Sequence, residues 1–143
     1  VTALDIKTGN EKWRKDIPTG GVLGCVAVAD GLAVCTATDG KVRAFKVADG
    51  ERAWLYDAKL PMFAPPAVAG GVAYVADLGG VVHAIDLKTG NAKWTFSIAK
   101  ELGAPGMVYG GVTIHGGKLI VATCNLDGPW ANKETVVVCL GAK

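Results

Sequence analysis

Ala84-Ile85-Asp86-Leu87-Lys88-Thr89-Gly90-Asn91-Ala92-Lys93-Trp94 repeats, with few changes, a stretch near the start of the chain, Ala3-Leu4-Asp5-Ile6-Lys7-Thr8-Gly9-Asn10-Glu11-Lys12-Trp13. A third, looser copy lies between them and keeps Ala44, Gly50 and Trp54, with Lys46 in place of the Asp and Asp49 in place of the Thr. Ala3, Ala44 and Ala84 are 41 and 40 residues apart, and the glycines (Gly9, Gly50, Gly90) and tryptophans (Trp13, Trp54, Trp94) keep the same spacings. Three markers at one period make this a repeat protein. A fourth copy begins at Cys139-Leu140-Gly141-Ala142-Lys143, 55 residues after Ala84, so the last repeat carries an insertion.

Outward from the quoted stretch, each period divides into short apolar or alternating runs separated by glycine turns. Between Gly24 and Asp57 the runs are 25–29, 32–37, 42–47 and 52–56, with Asp30-Gly31, Asp39-Gly40 and Ala48-Asp49-Gly50 between them. Glycine at such junctions supplies the positive φ that tight hairpin loops require. The next period has Gly70-Gly71, Gly79-Gly80 and Lys88-Thr89-Gly90 in the same places. No window offers a capped amphipathic helix of ten or more residues. Four-stranded antiparallel meanders repeating at this length predict an all-β fold, a β-propeller of stacked four-stranded blades. With strands lettered A to D from inside to outside, 1–17 form strands C and D of a first blade. Residues 18–58 and 59–98 form two whole blades, and 99–143 form a fourth lacking its outer strand.

Composition narrows the function classes. The chain has 143 residues, 50% hydrophobic and 20% charged, with 20 glycines and a net charge of +2, which fits a folded domain rather than a disordered one. Its lysines are scattered among aspartates, so nucleic-acid binding by phosphate neutralisation has no basic stripe to rest on. No apolar run reaches the roughly 20 residues of a spanning helix. Cys25, Cys35, Cys124 and Cys139 contain no C-x-x-C, which argues against a zinc ribbon or a thioredoxin-type motif. Val1 already lies in a patterned strand, and a closed ring of seven or eight blades needs roughly 300 residues at about 40 each. The chain is therefore expected to be part of a longer protein.

The two near-complete copies resemble the A-x-D-x-x-T-G-x-x-x-W tryptophan-docking motif of the quinoprotein-type propellers, the pyrroloquinoline quinone (PQQ) repeat family. The residues that carry the resemblance are Ala3, Asp5, Thr8, Gly9 and Trp13, then Ala84, Asp86, Thr89, Gly90 and Trp94, with Ala44, Gly50 and Trp54 in the looser copy. The motif suits stacked blades: a small Ala, an Asp and Thr to satisfy turn amides, a Gly for positive φ, and a Trp to bury against the neighbour. The resemblance implies an exported, periplasmic bacterial protein. Dehydrogenases of the family hold PQQ over vicinal cysteines beside a calcium or lanthanide with Glu, Asn and Asp ligands. No vicinal pair stands here, so no cofactor is expected in this chain, and PQQ with calcium belongs only to the alternative in which other blades carry those ligands. The leading expectation is a non-catalytic binding or assembly scaffold. Its partners would be the remaining blades or a second copy, with a protein partner on one face, no nucleic acid and no membrane-spanning segment. Edge-to-edge pairing of two copies would put five strands in the joint blade, which argues against that form of dimer.

Loop lengths single out a face. The B-to-C connection of the last blade is about nine residues longer than its equivalents, and the D-to-A connection before it about six longer. In a meander both emerge at the same end, and long loops on a rigid scaffold are where function concentrates. The nominated stretches are 103–109 and 125–134, and within them Tyr109, Asn125, Asp127, Trp130, Asn132 and Lys133. The competing expectation is that these loops only cover the channel or contact other blades. Met62 and Phe63 could extend the patch or plug the gap between blades. Asn125-x-Asp127-Gly128 lacks the further ligands of a calcium loop. His83 and His115 have no Cys or acidic partner at ligand spacing and read as structural. Cys25 and Cys35 face each other under a three-residue hairpin loop and lie on opposite faces under a two-residue one, with free thiols the simpler expectation.

Overall fold

The computed structural model describes residues 1–141; Ala142 and Lys143, the end of the fourth motif copy, lie outside the described residues. Four antiparallel sheets follow in order. β1 (Thr2–Leu4) and β2 (Glu11–Arg14) form a hairpin. β3 (Ala27–Ala29), β4 (Leu32–Thr36), β5 (Lys41–Lys46) and β6 (Arg52–Asp57) form the second sheet. β7 (Ala67–Ala69), β8 (Val72–Ala76), β9 (Val81–Asp86) and β10 (Ala92–Ser97) form the third. β11 (Thr113–His115), β12 (Lys118–Ala122) and β13 (Val137–Gly141) form the fourth. Each sheet is a plain meander, as the fold reading requires. One short helix, α1 (Ile98–Leu102), sits between the third and fourth sheets.

The turns explain the register. Asp30 and Gly31 both have positive φ, 49° and 74°, as do Gly70-Gly71 and Gly116-Gly117. Two consecutive positive φ values make a primed turn whose twist matches the flanking strands. The first of these sets Ala29 opposite Leu32. This is the two-residue alternative, so Cys25 and Cys35 do not face each other. Cys25 is exposed just before β3, which starts two residues later than the apolar run, while Cys35 is buried and both are free. Burial raises the Cys35 thiol above its usual range.

The C-to-D turns are built by side chains. Asp5 Oδ1 accepts from the amides of Lys7 and Thr8, both at 3.0 Å, and Gly9 closes the loop onto the Asp5 carbonyl at φ 73°. Asp86 repeats this with Lys88 and Thr89. In the looser copy Asp49 Oδ1 accepts from the Glu51 amide at 2.8 Å, and Lys46 pairs with Glu51 at 2.7 Å. The second and third of these turns each receive a tryptophan from the preceding blade. Trp13 Nε1 donates to the Val47 carbonyl at 2.9 Å and Trp54 Nε1 to that of Leu87 at 2.7 Å. A Cβ on Gly50 or Gly90 would come within 2.7 Å of those rings.

The core lies between blades. Val34, Val42, Ala44 and Trp54 of the second sheet pack with Ala73, Val75, Ile85 and Leu87 of the third. Ala76 and Val82 of the third pack with Leu119, Val121 and Val138 of the fourth. A sheet of four short strands cannot bury its own faces, so stacking supplies the burial. At the centre β7 touches β3 on one side and β11 on the other, and Gly24 and Gly111 both lie against Pro65 with no room for a Cβ.

Candidate functional site

Every D-to-A connection is tied to the B-to-C loop of the blade it enters. Thr38 N donates to the Gly21 carbonyl, Leu78 N to that of Pro61 and Cys124 N to that of Met107, at 3.0, 3.0 and 2.7 Å. The loop face is thus one hydrogen-bonded tier rather than a set of free loops. The extra residues of the last connection are a single helical turn. Ser97 caps α1 by accepting from the Lys100 amide, and Gly103 ends it in the left-handed conformation, its amide bonded to the Ala99 carbonyl. The extra residues of the B-to-C loop make a 3₁₀ turn, Gly128–Trp130, and a left-handed Asn132 at φ 64°.

Within this tier the nominated residues separate by role. Asn125 is buried and turned inward. Its Oδ1 accepts from Met107 N at 3.3 Å, and its Nδ2 donates to the carbonyls of Pro105 at 3.3 Å and Glu134 at 2.9 Å, so the amide stitches the two long segments together. Tyr109 and Asp127 come together at the surface, the phenol donating to Asp127 Oδ1 at 2.6 Å. That bond holds the Tyr109 hydroxyl above its usual pKa. The ring of Phe63 meets Tyr109 edge-on, with centroids 5.5 Å apart. Trp130 is half-buried, and Asn132 is exposed with its amide bonded to the Asn125 carbonyl. Lys133 lies apart from Tyr109, lining a shallow cleft of about 280 Å³ with Ala104, Pro105 and Glu134. Met62 is wholly buried between blades while its neighbour Phe63 reaches the face, so the two divide the alternatives between them.

Two features escaped the sequence reading. Leu23, Phe63 and Tyr109 each stand four residues before the first residue of an inner strand, Ala27, Ala67 and Thr113. They are equivalent positions on three successive blades, and Leu23 and Leu126 add exposed apolar surface. The sequence already singles out Tyr109 and Phe63, but their equivalence and the third member, Leu23, emerge only when the repeats are aligned backward from the inner strands. The second is a buried polar network at the junction of the second and third blades. Contrary to the reading of His83 as lacking an acidic partner, its Nε2 lies 3.1 Å from Asp77 Oδ2, and its Nδ1 3.0 Å from the Tyr56 hydroxyl. Asp77 Oδ1 accepts from the amides of Gly79 and Val81, so Nε2–H donates to the carboxylate and Nδ1 accepts from Tyr56. Burial raises the Tyr56 phenol, which makes it a poor nucleophile. His83 is held inside this network, with an acidic partner six residues away that the turn brings back.

One blade earlier the equivalent position is Arg43, paired with Asp39, both nearly buried. The guanidinium's hydrogen bonds lower the Asp39 carboxyl to about 2. Among the described residues no three His, Cys, Asp or Glu side chains converge as a metal site would need. None of their buried side-chain polar atoms lacks a hydrogen-bond partner.

Residues 1–125 match a family model described as outer membrane protein assembly factor BamB, of the PQQ repeat type. Among solved structures, BamB from Moraxella catarrhalis superposes with a TM-score of 0.72 at 23% identity, over 85% of this chain and 36% of that one. The quinohemoprotein alcohol dehydrogenase ADHIIG from Pseudomonas putida HK5 gives 0.66 at 26% identity, over 73% of this chain and 17% of that one. A computationally designed protein, Ika4, gives 0.76 at 16% identity, over 99% and 79%. The chain spans about a third of the length of the BamB structure and under a fifth of the dehydrogenase. No curated protein matches it. With the matched stretch covering all of the first three blades and the start of the fourth, the chain belongs to the PQQ-type β-propeller repeat family described as outer membrane protein assembly factor BamB.

Proposed function

We propose that the chain acts as a binding and assembly scaffold in the periplasm, and that its working surface is the loop face bearing Leu23, Phe63, Tyr109, Asp127 and Trp130. The observation that carries this reading is the pairing of Tyr109 with both Phe63 and Asp127: an aromatic group held rigid on two sides, with apolar neighbours exposed. Tyr and Trp on a preorganised frame supply contact area at little entropic cost, the composition of protein-binding hot spots. Leu126, 86% exposed on the same loop, is apolar surface of the kind that partners cover. The match to an assembly-factor family supports the same reading.

The quinone alternative meets a poor donor set in these residues. The cysteines are not adjacent, the Asn125 amide is spent on three backbone groups, and Asp39 and Asp77 are buried with partners already in place. The residues present do not fit PQQ and calcium. The test is a titration of the chain with PQQ and calcium, followed by quinone absorbance. Absence of stoichiometric uptake is expected, and uptake of one quinone per chain would overturn the scaffold reading. A photo-crosslinking residue at Leu126 should then capture a periplasmic partner that the same residue at Lys93, on the outer strand, does not. Equal capture at both positions would remove the loop face from the proposal.

A further inference from the structure

Four Asp-Gly dipeptides stand in the chain, at 30–31, 39–40, 49–50 and 127–128. An aspartate before a glycine is open to a reaction of its own. The glycine amide nitrogen, shielded by no side chain, attacks the aspartate Cγ and closes a five-membered imide. How readily it does so depends on how freely the carboxyl and the peptide unit between the two residues can move.

Three of the four dipeptides are held. Asp39 is nearly buried, its oxygens taken by Arg43 and the Lys41 amide, and Gly40 N donates to the Ala37 carbonyl at 3.1 Å. Its carboxyl, lowered to about 2, stays ionised, and a carboxylate loses water far less readily than the acid. Asp49 Oδ1 accepts from the Glu51 amide, and Gly50 N donates to the Lys46 carbonyl, both at 2.8 Å. Asp30-Gly31 is the two-residue turn between β3 and β4. It is pinned by the pairing of Ala29 with Leu32 and by Val47 N, which donates to the Gly31 carbonyl at 2.8 Å.

Asp127-Gly128 lacks these restraints. Among the described residues no backbone group is bonded to the Asp127 carbonyl or to the Gly128 amide. Asp127 stands at the cap of the 3₁₀ turn, yet its side chain bonds to no amide of that turn. The carboxyl is exposed, and its one hydrogen bond is the one it accepts from the Tyr109 hydroxyl.

We propose that Asp127 isomerises spontaneously to isoaspartate and thereby releases Tyr109. The Gly128 nitrogen bonds to Asp127 Cγ, and the carboxyl hydroxyl leaves as water with the amide proton. Water then opens the imide at its other carbonyl, the former main-chain carbonyl of Asp127, breaking that C–N bond. Mass is unchanged, the main chain lengthens by one methylene, and the new carboxylate hangs from Cα. Cγ has become an amide carbon, so the carboxylate that Tyr109 paired with no longer stands there. The reaction needs only water, and it does not depend on what the loop face binds.

Ageing the full chain in neutral buffer, followed by tryptic digestion and mass spectrometry, tests this. Cleavage after Lys118 and Lys133 isolates 119–133, in which Asp127 is the sole aspartate. A second peak of identical mass should grow for that peptide, with electron-transfer fragmentation placing the isoaspartate at 127. The other three sites should convert at least about tenfold more slowly, because they react only through local opening. In a chain unfolded by guanidinium all four should convert at similar rates. In the aged, refolded-free native chain the Tyr109 phenol, which Asp127 holds above its usual range, should titrate at lower pH when followed by NMR. Equal native rates at all four sites, or no conversion at 127 while the unfolded chain converts, overturns the proposal. A Tyr109 titration unchanged in the converted chain overturns the release.

Discussion

Gly90 and Gly9 share a backbone conformation, φ near 75°, but not their surroundings: nothing lies within 4 Å of a Cβ at Gly9, while at Gly90 it would sit 2.7 Å from Trp54. Gly9→Ala therefore meets only the left-handed penalty, about 1 kcal/mol. Gly90→Ala adds a collision in a packed junction and should cost about 2 to 4 kcal/mol, read as a lower urea midpoint. Equal midpoints for the two variants would mean that the tryptophan contact is not a close one. Asp39 offers a test in pH. Its carboxyl is lowered from 3.8 to about 2, first by the Arg43 hydrogen bonds. A group depressed on folding contributes stability above its unfolded value and loses it as the pH falls through the folded one. The advantage of wild type over Asp39→Asn should hold above about pH 4 and shrink toward pH 2. With solvent screening it is worth on the order of 1 kcal/mol. A gap that does not change across that window would show that the pair adds nothing through its charge.

Among elements, the long B-to-C loop of the fourth blade depends on one side chain. Asn125→Ala would leave Met107 N and the carbonyls of Pro105 and Glu134 without their partner. Stranded buried groups cost about 1 to 3 kcal/mol each, less where water enters. Hydrogen exchange at the Met107 amide should accelerate while the amides of β5 and β9 stay protected, and protection retained at Met107 would show that the loop is held elsewhere. The hairpin turns of these blades were legible because Asp30-Gly31 and Gly70-Gly71 announce themselves locally. The helix α1 was not, since five residues are too few to show a period and its signals reduce to Ser97 and Gly103. The strand-C position just before the first residue of each motif copy shows another limit. Arg43, His83 and Val138 are equivalent, yet the first two find acids at different loop positions, Asp39 and Asp77, and the third packs in an apolar cluster. A repeat fixes where a side chain points, not which neighbour it meets.

At the scale of the whole chain, the period alone carried the architecture, since Ala, Gly and Trp at one spacing leave few alternatives to stacked meanders. The loop face was only half legible: length marked the stretches 103–109 and 125–134, but whether Asn125 turned inward or outward depended on contacts with Pro105 and Glu134 that no local pattern encodes. The same modular logic predicts how the chain comes apart. Blades bury their apolar faces only against their neighbours, in one cluster joining the second and third and another joining the third and fourth. In such a one-dimensional stack stability is a sum of blade and junction contributions. Ile85→Ala, at the first junction, should cost about 2 to 5 kcal/mol, and native-state hydrogen exchange should show faster opening of β4 and β5 along with β8 and β9. Val121→Ala, at the second, should speed exchange in β12 and β13 and leave Val34 and Ala44 of the second blade as slow as before. A uniform loss of protection across every strand in both variants would mean that the blades unfold as one unit, and the nearest-neighbour account would fail.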